Sequence, residues 1–168
     1  SSGQTWLING AAGGVGSAAV QLARVRGATV IGTASAGNHD YLRSLGAVPT
    51  TYGGGLPARV KELAPQGVDA ALDTSGRGAL PDLIEITGSP ERVVTIADPQ
   101  AGQYGVPYTS GRSGESRAWH ALAEAAELWE RGQFSMPVAQ TFPLADGPQA
   151  HRLSEEGHVR GKLVLLVG

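Results

Sequence analysis

Four closely spaced glycines between an apolar segment and a helical segment constrain this chain more than any other feature. They lie at positions 10, 13, 14 and 16, directly after the short apolar stretch Thr5–Asn9. Residues 15–26 carry apolar side chains at three- and four-residue steps, and Gly27 provides a helix stop. Thr29–Thr33 is rich in β-forming residues. This order of strand, glycine turn, helix and strand predicts a βαβ unit with parallel strands.

The same alternation continues along the chain. The pattern predicts helices at 38–45, 56–63 and 80–86, strands at 48–51, 68–72 and 92–97, and a short edge strand at 106–108. It also predicts a long helix starting at Ser113, a strand at 138–142, a helix at 147–154 and a closing strand at 162–167. Strands that alternate with helices indicate an α/β fold of the Rossmann type, a doubly wound parallel sheet with helices on both faces.

Composition removes several classes of function. With a net charge of −2, 41% hydrophobic and 17% charged residues, the chain has no basic excess to attract nucleic acid. No apolar run approaches the ~20 residues of a membrane span, and without cysteine there are no disulfides or thiolate ligands. We therefore expect neither a nucleic-acid nor a membrane partner, and a cytoplasmic location. The four histidines lack metal-ligand spacing, so we expect no metal, and no catalytic residue can be assigned.

The glycine turn has the chemistry of a phosphate-binding site. Glycines permit a tight turn and let the backbone approach a pyrophosphate, which then meets free N–H groups at the positive end of the helix. We expect the diphosphate over Gly13, Gly14 and Val15, with Gly16 allowing the helix to pack closely on the strand. The alternative is a tight turn that binds no ligand.

The segment from Ala11 to Gly16, followed by Ala19, Gln21 and Ala23, resembles the medium-chain dehydrogenase/reductase family, in particular its zinc-independent quinone oxidoreductase branch. Later segments at 44–47, 68–76 and 157–164 are also similar to that family. The resemblance covers essentially the whole chain and assigns these turn residues to the cofactor site: Ala12, Gly13, Gly14, Val15 and Gly16.

The end of the second strand bears on which dinucleotide binds. NAD-binding folds usually place an acidic residue there for the ribose 2′-OH, whereas residues 33–38 of this chain contain no carboxylate. Ser35 and Asn38 could donate hydrogen bonds to a 2′-phosphate, so we expect NADP(H). The resemblance adds Tyr52 as a phosphate contact, although the basic residue it leads us to expect in this loop is absent. Tyr52 as a surface aromatic and Ser35 as a turn residue remain alternatives.

The resemblance also implies contacts at the other end of the cofactor. Thr74 and Ser75, after the fourth strand, would approach the ribose on the nicotinamide side. Ile96 and Ala97, at the end of the next strand, would lie along the nicotinamide. The alternative is that both segments only end their strands, as every parallel strand must.

We therefore expect an NADPH-dependent oxidoreductase acting on a small-molecule quinone or α,β-unsaturated carbonyl; the alternative is a non-catalytic module that binds or senses the dinucleotide. A short-chain dehydrogenase is excluded because no tyrosine is followed four residues later by lysine. The resemblance divides the chain into a dinucleotide-binding domain, 1–132, and a segment, 133–168, that returns to a catalytic domain. In the family this catalytic domain is N-terminal to the dinucleotide-binding domain, and we expect it to be absent here. We therefore expect the chain alone to be weakly active or inactive. We also expect a homodimer to form through a sheet edge such as 106–108.

Overall fold

The computed structural model describes residues 2–111, 119–157 and 159–168. A parallel sheet forms the centre of the fold, and its strands pair in the order β3-β2-β1-β4-β5. The strands are β1 (Thr5–Asn9), β2 (Thr29–Thr33), β3 (Val48–Thr50), β4 (Ala70–Asp73) and β5 (Val93–Thr95). Because the strand order reverses direction at β1, the carboxyl ends of β1 and β4 form a topological switch point. The predicted doubly wound parallel fold is confirmed.

Helices cover both faces of the sheet. The helices that cover it are α1 (Gly14–Val25), α2 (His39–Ser44), α3 (Leu56–Leu63) and α4 (Leu80–Thr87). Two more helices follow in the chain, α5 (Trp119–Glu130) and α6 (Gly147–Glu156). Successive residues of β1 point to opposite faces: Leu7 packs with residues of α3 and α4, and Ile8 packs with residues of α1 and α2. Both side chains are fully buried, so the sheet has a hydrophobic core on each side.

The predicted elements differ from the observed ones mainly at their ends. β4 begins at Ala70 and extends to Asp73, because Asp73 pairs with Asn9 of β1 and Thr95 of β5. The edge strand at 106–108 is reduced to a single parallel bridge between Tyr108 and Thr95. The predicted helix start at Ser113 lies outside the described residues, and the segment is helical from Trp119 onward.

The C-terminal segment forms a second, smaller sheet. Its strands, β6 (Val138–Pro143) and β7 (Lys162–Leu166), pair in parallel with α6 between them in sequence. Two contacts fix this segment to α1. Gly161 bridges to Gly13, and the buried amide of Gln21 exchanges two hydrogen bonds of 2.8 Å with the backbone of Ser135. The C-terminal segment therefore packs on the amino-terminal βαβ unit.

Across the described ranges, none of the helices combines the length and apolar character that a membrane span requires.

Candidate functional site

The turn between β1 and α1 requires glycine at two positions. Gly10 has φ +82°, and a Cβ there would lie 2.8 Å from Oγ1 of Thr74. At Gly16 a Cβ would collide with the carbonyl oxygen of Gly10 and lie 2.7 Å from Cα of Ala11. Helix α1 therefore packs directly on the turn that follows β1.

The first turn of α1 offers unpaired backbone donors to the site. Gly13 precedes the helix and its N–H donates to the carbonyl of Gly10 at 3.1 Å. The first N–H groups of any helix have no acceptor within the helix, and here these include Gly14 and Val15. No acidic residue occupies this turn. The helix end therefore presents positive partial charge where the glycines leave space for a ligand.

A cavity of about 840 Å³ opens in front of this helix end. Its volume lies within the ~300–1,000 Å³ range of sites for small molecules and cofactors. Nine of the predicted cofactor residues line it: Ala12, Gly13, Gly14, Val15, Ser35, Asn38, Tyr52, Thr74 and Ser75. The three that are not among its lining residues are Gly16, which packs on the turn, and Ile96 and Ala97, which follow β5.

A buried polar network lies beneath the cavity. The carboxylate of Asp73 accepts hydrogen bonds from Nδ2 of Asn9 at 2.9 Å and from Oγ1 of Thr95 at 2.8 Å. Oδ1 of Asn9 accepts one from Oγ1 of Thr33 at 2.6 Å, and Thr33 in turn accepts one from the N–H of Gly10 at 3.0 Å. The carboxyl ends of four strands are therefore joined by side chains that fix the glycine turn.

The polar residues after β2 are close together. Nδ2 of Asn38 donates to Oγ of Ser35 at 3.1 Å, and Tyr52 lines the cavity with about half of its surface exposed. Among the described lining residues, only Asp82 of α4 carries a carboxylate, whereas Arg77 and Lys162 carry positive charge. The charged groups of the lining therefore favour an anionic ligand.

Lys162, at the start of β7, lies beside the N-terminal end of α1. A Cβ placed on Gly14 would be 2.8 Å from Nζ of this lysine, so the ammonium group lies beside the glycine turn. Sequence reasoning missed this residue, because it was interpreted as the start of the closing strand at 162–167. The similarity of 157–164 to the family's closing segment was the signal that could have drawn attention to it.

Comparison with known proteins identifies the family. Residues 54–165 match the family described as "Zinc-binding dehydrogenase". The chain is also 31% identical over 176 residues to erythronolide synthase EryA2 of Saccharopolyspora erythraea, a match that covers 98% of this chain and 5% of that protein. The chain belongs to the medium-chain dehydrogenase/reductase family. The resemblance noted in the sequence is thereby confirmed.

Three solved structures superimpose on 99% of the chain. They are the quinone oxidoreductase of Coxiella burnetii (30% identity, TM-score 0.74), an NAD-dependent alcohol dehydrogenase (26%, 0.83) and mycobacterial Rv1454c in complex with NADPH (25%, 0.79). This chain covers 54%, 52% and 57% of them, respectively. It therefore spans about half of their length and corresponds to the nucleotide-binding domain of medium-chain oxidoreductases.

The described residues fit a dinucleotide but do not provide the ligands of a zinc ion. A catalytic zinc needs three protein ligands, and within 2–111, 119–157 and 159–168 no three His, Asp or Glu side chains are grouped to hold a metal. Cysteine is absent from the sequence. By contrast, the free helix end, the cation at Lys162 and the cavity suit a ligand that carries a diphosphate.

Proposed function

We propose that the cavity binds NADP(H), and that the protein containing this domain transfers hydride between the nicotinamide and a quinone or α,β-unsaturated carbonyl. The observation that carries the proposal is the juxtaposition of Lys162 with the glycine turn at the start of α1. A cationic side chain and a helix N-terminus act on the same point, where a pyrophosphate would carry its negative charge.

The diphosphate is proposed to lie over Gly13, Gly14 and Val15, beside Ala12. The N–H of Gly13 already donates to Gly10, so the unpaired donors of this turn begin at Gly14. The ammonium group of Lys162, beside Gly14, would add a charge-assisted bond. This arrangement holds either dinucleotide and does not discriminate between them.

Preference for NADP(H) is proposed to arise after β2. Ser35 and Asn38 line the cavity there with hydroxyl and amide groups, and Tyr52, on the segment after β3, lines it too. No carboxylate among these three would repel a 2′-phosphate or accept a bond from a ribose 2′-OH. The absence of a repelling charge favours the phosphorylated cofactor.

The nicotinamide end is proposed to lie over Thr74 and Ser75. Oγ1 of Thr74 donates to the carbonyl of Asn9 at 2.8 Å, and Oγ of Ser75 accepts from Nδ2 of Asn9 at 2.7 Å. These bonds hold both side chains against the end of β1. Ile96 and Ala97 would lie farther along, where the N–H of Ile96 pairs with the carbonyl of Asp73 at 3.1 Å.

The bound cofactor would supply the hydride, and the residues described here would bind and orient it. We assign no proton donor to this chain. The acceptor class is inferred from the similarity to the Coxiella burnetii quinone oxidoreductase. To position the acceptor, a substrate pocket would have to be formed between this domain and a catalytic domain.

The division of the chain is part of the proposal. Residues 1–132 would form the dinucleotide-binding domain, and 133–168 would connect it with a catalytic domain. The support for this division is that β6 and β7 form a sheet of their own, apart from the five parallel strands.

Calorimetric titration of the purified chain with NADPH and with NADH tests the binding proposal. We expect NADPH to bind at least about tenfold more tightly, which corresponds to ~1.4 kcal/mol. Equal dissociation constants for NADPH and NADH would contradict the proposed preference. The absence of binding heat with either cofactor would contradict the proposed binding site. Quinone-dependent oxidation of NADPH by a protein that includes a catalytic domain tests the reaction.

A further inference from the structure

The loop after β2 lacks the cation that a phosphate site would be expected to contain. Within 33–38 the chain has no lysine or arginine. A neutral hydrogen bond to phosphate is roughly half as strong as a charge-assisted one, so Ser35 and Asn38 alone would make a weak site. A basic side chain from elsewhere in the fold could compensate for this.

Arg160 reaches this loop from the C-terminal segment. Its Nε donates to Oδ1 of Asn38 at 3.0 Å, and Nη2 lies 3.5 Å from the carbonyl oxygen of Gly37. Its guanidinium carbon lies 5.1 Å from the centre of the Tyr41 ring, within the range of a cation–π contact. Three groups of the loop and α2 therefore position a side chain that is 122 residues away from Asn38 in sequence.

The position of Arg160 leaves room for a ligand. Val159 and Gly161, its neighbours in sequence, both line the cavity, so the arginine lies at the rim of the cavity. A Cβ added to Gly37 would meet no atom within 4 Å, so there is open space at this position of the β2 loop. The hydrogen bonds to Asn38 and Gly37 use Nε and Nη2, and a guanidinium has five N–H donors, so other donors can bind a ligand.

The hydrogen bonds around Asn38 also prepare Ser35 for a phosphate. Asn38 accepts from Arg160 through its oxygen and donates to Oγ of Ser35 through its nitrogen. Because the oxygen of Ser35 accepts this bond, its own hydroxyl proton is available to an anion.

Two other arginines near this end of the cavity are already engaged. Arg59 donates to the carbonyls of Thr51, Gly53 and Gly54 at 2.7 to 3.1 Å and so fixes the segment around Tyr52. Arg43 pairs with Asp40 at 2.6 Å. Neither of these arginines bonds to Asn38, whereas Arg160 does.

We propose that Arg160 binds the 2′-phosphate of NADP(H), together with Ser35 and Asn38, and so determines cofactor specificity from the C-terminal segment. This inference rests on the proposed NADP(H) site. It assigns to a residue of 133–168 the charge that the β2 loop does not supply. A bound cofactor would then strengthen the contact between the C-terminal segment and that loop.

The test compares Arg160→Ala and Arg160→Lys with the unaltered chain in titrations with NADPH and NADH. Arg152→Ala is the matched control, because Arg152 lies on α6 outside the large cavity. For Arg160→Ala we expect NADPH affinity to fall about tenfold, allowing for the exposure of the arginine, while NADH affinity changes less than about twofold. Arg160→Lys should recover part of the loss, because it keeps the charge but not the planar fork.

Fragments of the cofactor sharpen the test. Adenosine 2′,5′-bisphosphate and adenosine 5′-monophosphate differ by one phosphate, so only the first should bind more weakly to Arg160→Ala. Added KCl should reduce the difference, since the contact is at the rim and is screened.

Each outcome has a distinct meaning. An equal loss for NADPH and NADH would show that Arg160 only holds the C-terminal segment, and no loss for either would show that it does not contact the phosphate; both results overturn the inference. If the unaltered chain still prefers NADPH in those cases, the proposed function stands. If the unaltered chain binds neither cofactor, the proposed function fails and Arg160 loses its assigned role with it.

Discussion

The side-chain amide of Asn9 donates a 2.9 Å hydrogen bond to the carboxylate of Asp73 and joins the ends of β1 and β4 beneath the cavity. Asp73 is fully buried and also accepts from Thr95 and from the N–H of Ser75. A buried donor that loses its acceptor costs about 1–3 kcal/mol. Asp73→Ala is therefore expected to lower the free energy of unfolding by at least ~3 kcal/mol in urea denaturation.

Asp40→Ala provides the control for that prediction. Asp40 is exposed and pairs only with Arg43 among the recorded ion pairs. Its replacement should change the free energy of unfolding by less than about 1 kcal/mol. Similar losses in the two variants would mean that the network under the cavity does not stabilise the fold.

Gly14→Asp is expected to abolish dinucleotide binding without unfolding the chain. The new side chain would meet the flexible end of Lys162, which can move or pair with the carboxylate. It would place negative charge where the diphosphate must approach. Gly102→Asp is the matched control, since Gly102 has open space around it and lies outside the cavity lining. Calorimetry measures the affinity, and an unchanged affinity in Gly14→Asp would show that the diphosphate binds elsewhere.

Lys162→Ala is expected to weaken NADPH and NADH equally, by roughly fivefold, because the lysine is exposed and would contact a diphosphate common to both. Lys61→Ala, on α3, removes the same charge away from the cavity lining and should have no effect. Titrations of both variants with both cofactors provide the measurement. A selective loss of NADPH alone would place Lys162 at the 2′-phosphate instead.

Ser35→Asp is expected to reverse the cofactor preference. A carboxylate at the end of β2 would repel a 2′-phosphate, accept a bond from a ribose 2′-OH and pair with the nearby Arg160. The ratio of NADPH to NADH affinity should fall by at least about tenfold. Ser44→Asp, at the end of α2, adds the same charge outside the cavity lining and should leave the ratio unchanged. A constant ratio in Ser35→Asp would remove Ser35 from the phosphate site.

Self-association through the sheet edge remains a prediction. The edge beside β5 is marked by the bridge between Thr95 and Tyr108, and Tyr108 is half exposed. An edge lysine disfavours strand pairing between chains, so Tyr108→Lys should lower the dimer fraction measured by light scattering. Tyr104→Lys serves as the control at a nearby exposed tyrosine. A strictly monomeric unaltered chain would contradict the prediction.

Local pattern was sufficient to predict much of the sheet. Thr5–Asn9 and Thr29–Thr33 occur as predicted, because buried parallel strands are short apolar runs that end at turn residues. The glycine turn could be placed because its residues are consecutive. Arg160 and Lys162 could not be placed, because sequence carries no measure of the distance between a β2 loop and a segment 122 residues later. The buried network of Asp73 could not be predicted, since its partners Asn9 and Thr95 are not its neighbours in sequence.

The bond between Gln21 and the backbone of Ser135 has a consequence for how the protein folds. The two residues are 114 positions apart, and closing so long a loop is entropically costly and slow relative to pairing neighbouring strands. The parallel sheet can therefore form while the far wall of the cavity is still unattached. Such an intermediate would have the glycine turn and the buried floor, yet it would lack the two cations that arrive with the C-terminal segment. Affinity for the cofactor would then appear later in refolding than the secondary structure does.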